Sequence, residues 1–368
     1  MRGLALLLLS SWAIIPLAGQ SCVARSQQIL QVAVQKAASG DEKQVRALLQ
    51  ESETVCPTSP VVKRRLAAIY RDILFDPAKA DALLNEAQAL EGKSMTAAQP
   101  APKAGLVRDK WALVVGISKF AYLNEQFQLT APAKDARDFA NALTDPNIGR
   151  FRNDGQHVHV LTDGEATLQG VMSGVDYLSR HAQADDLIVL YFSSHGTSAH
   201  DDRYASGDAQ TGYIVTYDTR PEALFSTAFA MEELKRVLDH LRAQRVVVFL
   251  DTCFSGDSIR RFNTNGSKAL VAIQDDQLQR VAQGTGRVLI VSSSGSQESW
   301  EGSGNSFFTE CLIGAMKENN GLSTVTQLFS KLDHDLPYVV EREKKAHQTP
   351  LIWPQGQNLN IVIGTPIE

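Results

Sequence analysis

The sequence predicts an α/β sandwich: a mostly parallel sheet flanked by helices, preceded by a small all-helical module. Three observations lead there. From Lys110 onward, short apolar runs of strand length alternate with helical stretches, the pattern of parallel strands joined by crossover helices. The runs Leu187-Ile-Val-Leu-Tyr-Phe192 and Val246-Val-Val-Phe-Leu250 are continuously apolar, as strands buried on both faces are. Residues 22–92, in contrast, carry only helical apolar spacing.

The segments follow in order. Residues 1–21 read as a secretory signal peptide. Arg2 supplies a minimal positive region, Leu4 to Leu17 an apolar one, and Ala18-Gly19-Gln20-Ser21 the small residues. Export to the periplasm or the extracellular space of a bacterium is therefore expected, with a retained membrane anchor as the alternative. Membrane contact is expected only through an uncleaved or lipidated N-terminus, although Gly19-Gln20-Ser21 matches a lipoprotein cleavage site at Cys22 poorly. No other apolar run is long enough to span a bilayer.

The module at 22–92 divides into helices over Ser26–Ala38, Asp41–Gln50, Ser59–Leu74 and Pro77–Leu90. Ser39-Gly40, Cys56-Pro57 and Asp76-Pro77 break them. Pro77 suits the first helical position, with Asp76 as its cap. Paired short helices of this kind resemble a tetratricopeptide-like module and suggest a protein partner, but no repeat signature accompanies them; a helical prodomain or spacer fits as well. Cys22 and Cys56 are candidates to pair in an oxidising compartment. Residues 93–108, rich in Pro and Ala, read as a linker.

The region 109–366 predicts strands at Trp111–Ile117, His157–Leu161, Leu187–Phe192, Tyr213–Tyr217, Val246–Leu250 and Val288–Ser292. Helices are expected at Pro132–Leu143, Thr167–His181, Met231–Leu241, Ser306–Lys317 and Thr324–Val339. Of the 368 residues, 43% are hydrophobic and 21% charged, ordinary for a globular protein. The net charge is −5 and no long basic run occurs, so nucleic acid is not an expected partner.

Two strings carry the chemistry. Asp186-Leu-Ile-Val-Leu-Tyr-Phe-Ser-Ser-His195-Gly196 ends in a histidine; Arg245-Val-Val-Val-Phe-Leu-Asp251-Thr-Cys253-Phe-Ser-Gly256 ends in a cysteine 58 residues later. Parallel strands ending side by side would place a thiol beside an imidazole, at the sheet edge where open α/β folds hold their sites. Singly, each residue is as well explained by packing; jointly, the pair is specific. Together they resemble the caspase-like cysteine peptidases, with a closer likeness to the metacaspase and orthocaspase branch, over roughly residues 109–363. Caspases carry their histidine about 50 residues before the cysteine.

The resemblance implies a caspase-like fold and a cysteine endopeptidase, with peptide or protein as substrate. Cys253 would be the nucleophile and His195 the general base and acid. The backbone N–H groups of Gly196 and Cys253 would bind the oxyanion. Asp251 stands where caspases have a Gln that admits Asp; a carboxylate there would repel acidic side chains and pair with Arg or Lys. Asp135 aligns with the second pocket Asp of metacaspases, although Pro132 replaces a Cys common in the family. As an alternative, Asp135 is a first-turn helix charge.

Ser292, Ser293 and Ser294 resemble the family's substrate-binding edge, and Trp300 either lines a neighbouring subsite or belongs to the core. The long segment 254–286 holds Arg260, Arg261 and Lys268 as self-processing candidates, or is a surface loop that is never cut. Asp201, Asp202 and Asp208 form a loose acidic cluster without a calcium-loop motif; the sequence requires no cofactor and leaves calcium open. Cys311 reads as a buried core thiol. The expectation is an exported peptidase cleaving after Arg or Lys; the competing one is an adaptor whose caspase-like domain serves as a binding module.

Overall fold

The computed structural model describes residues 22–38, 40–96, 107–200, 210–253, 281–282, 286–293, 297–354 and 360–367. The expected signal segment and most of the expected linker lie outside them. Two compact units divide near residue 100.

The first unit is four helices: α1 Cys22–Ala38, α2 Glu42–Val55, α3 Pro60–Asp72 and α4 Pro77–Thr96. Its caps follow from sequence. Asp41 accepts from the Gln44 N–H, and Ser59 from the Val62 N–H with Pro60 at the first helical position. Asp76 accepts from the Lys79 N–H at 3.1 Å. α4 runs four residues into the segment read as linker. Leu30, Val45, Leu49, Val62, Leu66 and Leu83 form the core. Each such side chain contributes about 1.5–3 kcal/mol by leaving water. Lys63 lies buried between Glu53 and Glu86, its ammonium 2.7 and 2.6 Å from their carboxylates.

Cys22 and Cys56 are joined in a disulfide, with Cα atoms 5.2 Å apart. A sulfur held in this bond is not available to a lipid thioether. The bridge closes a loop of sequence separation 34, which on loop entropy alone adds about 4 kcal/mol. Cys22→Ser is therefore expected to speed hydrogen exchange of the α1 and α2 amides markedly. Unchanged exchange would mean the helices hold without the bridge.

The second unit is the expected sandwich. Its elements are β1 Lys110–Gly116, α5 Pro132–Thr144, β2 Val158–Thr162, α6 Leu168–His181, β3 Leu187–His200 and β4 Gln210–Ile214. There follow α7 Leu224–Thr227, β5 Phe229–Ala230, α8 Met231–His240, β6 Arg245–Cys253, β7 Arg287–Val291, α9 Phe307–Lys317, α10 Val325–Lys344 and β8 Leu351–Trp353. The main sheet runs β2-β1-β3-β6-β7-β8. All its pairs are parallel except β7 with the short edge strand β8.

Alternate strand residues fill two cores. Leu113, Leu190, Val248 and Leu289 meet Val175 and Leu178 of α6 and Leu234 of α8. Val114, Tyr191, Phe249 and Ile290 meet Phe139 of α5, Phe308 and Leu312 of α9 and Leu332 of α10. The uninterrupted apolar strands reflect this double cover.

Several strands differ from expectation: β4, at Gln210–Ile214, overlaps the expected Tyr213–Tyr217 only in part, β6 runs on to Cys253, and the two-residue β5 was not expected. β3 continues through His195 to His200, leaving the main sheet to pair antiparallel with β4. β8 was not expected, because three residues are too few to show a period.

Candidate active site

The sheet order reverses direction between β1 and β3, and the carboxyl ends of strands at such a point are where α/β sheets place their sites. Three strand ends converge there. The β3–β6 ladder pairs Ser193 with Asp251 and, at its last rung, the Cα positions of His195 and Cys253. Gly116 ends β1 opposite Ser193. A side chain at Gly116 would collide with α5, its Cβ only 2.1 Å from the Pro132 carbonyl oxygen. The glycine thus lets the first turn of α5, which carries Asp135, settle onto the sheet edge.

His195 is oriented by a group no motif encodes. Its Nε2 lies 2.8 Å from the carbonyl oxygen of Phe127. A carbonyl only accepts, so Nε2 carries the proton and Nδ1 is left free of one in the neutral ring. Burial lowers the His195 pKa, while the Phe127 carbonyl and the charge of Glu301 oppose that. The net direction is downward, which favours the neutral ring.

The loop bearing Phe127 is itself pinned. The Gln128 side chain accepts from the Phe120 N–H at 2.8 Å and donates to the carbonyls of Phe120 and Leu123. Glu301 accepts from the Thr130 and Ala131 N–H groups and from the Thr130 hydroxyl. Gly196 follows His195 and is buried, and Cys253 closes β6.

The two acidic candidates come together below the surface. Asp135 is fully buried and Asp251 is 5% exposed. Asp251 accepts from Ser299 at 2.7 Å and Thr309 at 3.3 Å, and from the Ser306 hydroxyl. Asp135 accepts from the Ser306 N–H at 3.0 Å and the Ser193 hydroxyl at 3.4 Å. Ser306 caps α9 and therefore bonds both carboxyl groups. Burial and the neighbouring Asp251 push Asp135 up to about 7; burial also raises Asp251. Among the described residues no Lys or Arg bonds either group. Two buried acids held only by neutral donors form a site that favours an incoming cation. Asp135 stands in the first turn of α5 with its side chain buried.

Ser292 and Ser293 are both buried. The Ser292 N–H is taken by the Leu250 carbonyl at 2.9 Å, extending the ladder, and its own carbonyl accepts from Gln348 at 3.1 Å. Both backbone groups of Ser292 are thus already bonded within the fold. Trp300 packs against the core on the α5–α9 side. Cys311 is free and buried, its thiol pushed up to about 12. Ser294, the self-processing candidates Arg260, Arg261 and Lys268, and the acidic cluster Asp201, Asp202 and Asp208 lie outside the described residues. Among the described residues, no group of three or more His, Cys, Asp or Glu is arranged to hold a metal, and no helix is long and apolar enough to cross a membrane.

The sequence reading missed Phe127, Ser299, Ser306 and Gln348. Ser306 alone carried a signal, as a Ser at the start of an apolar helical run.

Comparison with known proteins agrees with this architecture. The sequence matches the caspase domain family over residues 109–358. No curated protein sequence matches significantly. The crystal structure of a Geobacter sulfurreducens protein aligns with TM-score 0.50 at 20% identity, covering 71% of this chain and 100% of that one. Caspase-1 from Spodoptera frugiperda aligns with TM-score 0.47 at 13% identity, over 73% and 95% of the two chains.

Proposed function

Because this chain belongs to the caspase domain family, whose members are cysteine peptidases, we propose that it is an exported cysteine endopeptidase cleaving after Arg or Lys. The observation that carries this reading is the final rung of the β3–β6 ladder, where His195 and Cys253 are Cα partners.

In the proposed reaction His195 Nδ1 takes the Cys253 proton, and the thiolate adds to the scissile carbonyl. The backbone N–H groups of Gly196 and Cys253 hold the developing oxyanion. His195 then returns the proton to the leaving amine. Water, deprotonated by the same imidazole, hydrolyses the thioester and restores the thiol. Asp135 and Asp251 receive the guanidinium or ammonium of the residue before the cut, a charge-assisted interaction strongest in a water-poor site. The same preference would let the enzyme cut its own chain at Arg260, Arg261 or Lys268. Export rests on the N-terminal segment and agrees with the Cys22–Cys56 bond.

The test uses fluorogenic peptides ending in Arg, Lys or Asp, with calcium and with chelator, and Cys253→Ala as the blank. Cleavage after Arg and Lys alone, lost in the blank, is expected. Cleavage after Asp would overturn the pocket reading and spare the Cys–His pair. Equal signal from the blank would refute the nucleophile.

A further inference from the structure

The two buried acids are supported from a loop far along the chain. Gln348, fully buried between α10 and β8, has its amide donating to the Ser292 carbonyl at 3.1 Å and to the Ser299 hydroxyl at 3.0 Å. Its carbonyl oxygen accepts from the Trp300 N–H at 3.0 Å. The amide orientation is fixed by chemistry, because turning it over would face oxygen against the Ser292 carbonyl and NH₂ against the Trp300 N–H.

This fixes the next link. A serine hydroxyl has one proton. With Gln348 donating into the Ser299 oxygen, that proton points onward to Asp251, 2.7 Å away. On its other oxygen Asp251 receives the Ser306 hydroxyl, which in turn accepts from the Thr309 N–H at 3.0 Å. The Ser306 N–H then holds Asp135. Every donor in the chain points toward a carboxylate, so each bond strengthens the next.

We propose that Gln348 and Ser299 are positioning residues for specificity: with Ser306 they form a set of hydrogen bonds converging on Asp251 and Asp135 that favours their ionised forms and holds them in place for a basic side chain. The proposal rests on the reading of this pair as the pocket for Arg or Lys. Its distinctive consequence is electrostatic. Among the described residues, the titratable groups facing Asp251 are Asp135 from α5 and Tyr191 from β3, neither of which supplies a positive charge. Neutral donors are therefore what favours its charged form, and removing one favours the protonated form.

The experiment compares full-length wild type with Ser299→Ala, Ser299→Thr and Gln348→Glu. The last keeps the shape but offers an acceptor that draws the Ser299 proton away from Asp251. Carboxyl ¹³C resonances of Asp-labelled protein, with Asp251 assigned from Asp251→Asn, are titrated alongside hydrolysis of an Arg peptide. In Ser299→Ala the Asp251 titration is expected to move up by about one pH unit. KM for the Arg peptide is expected to rise about tenfold with kcat little changed. Ser299→Thr should restore both, and Gln348→Glu should mimic the loss; thermal melting reports whether that variant folds, and Ser299→Ala decides alone if it does not. Alkylation of Cys253 by iodoacetamide should stay at the wild-type rate in Ser299→Ala, since the relay does not touch the nucleophile.

An unmoved Asp251 titration in Ser299→Ala overturns the proposal and leaves the Arg/Lys reading standing. A shift in alkylation equal to the change in hydrolysis also overturns it, because the hydroxyl would then be supporting the whole site. A wild type that cleaves neither Arg nor Lys peptides overturns the pocket reading first, and the proposal with it.

Discussion

Replacing His195 by Gln is expected to lower kcat/KM toward an Arg peptide by about 1000-fold or more, the scale seen when the base of a nucleophile–base pair is removed. Gln can still donate to the Phe127 carbonyl, which now receives the imidazole Nε2–H at 2.8 Å, so the surrounding loop should persist. What it lacks is a nitrogen that titrates near neutrality. Two readouts separate this from unfolding. The variant should melt close to wild type, and iodoacetamide should alkylate Cys253 more slowly at pH 7, because the thiol loses the imidazole that takes its proton. A loss of hydrolysis under tenfold would sink the assignment of His195 as the base, whatever the fold resemblance.

The parts of the site legible in the sequence share one property: they are side chains whose type announces chemistry and whose place follows from strand ends. His195, Cys253 and Asp251 end apolar runs, and Asp135 sits in the first turn of the helix that follows the first predicted strand. The parts that were not legible act through backbone or loop geometry. The Phe127 carbonyl could belong to any residue. Gln348 and Ser299 lie 49 residues apart in the sequence, and no local pattern links them.

The strand expected over Val288–Ser292 is ladder-bonded to its last residue, whose N–H pairs with the Leu250 carbonyl. β3, in contrast, was read short. Ser193, Ser194 and His195 are polar, but a strand that changes partners at the sheet edge keeps its extended backbone.

Asp135→Asn is expected to move activity and stability in opposite directions. Burial, and Asp251 beside it, push the Asp135 carboxyl up to about 7. Below about pH 4 this carboxyl is protonated both folded and unfolded and costs nothing. Between there and pH 7 the unfolded chain ionises it and the fold does not, so stability falls as pH rises; above 7 the penalty is constant. The neutral Asn avoids it, and the variant should be more stable than wild type at pH 8, by on the order of 2 kcal/mol in urea unfolding.

Activity runs the other way. An arginine needs the ionised carboxyl, so wild-type kcat/KM should fall with decreasing pH through about 7. Asp135→Asn should lose about 100-fold or more at pH 8, chiefly in KM, from the broken charge pair. Its remaining acid limb should lie below 6.5, where the lowered pKa of His195 places it. The same buried charge thus weakens the empty fold and strengthens the bound one. If Asp135→Asn were less stable at pH 8 and kept its activity on Arg peptides, Asp135 would be a structural acid and the basic pocket would have to be sought elsewhere.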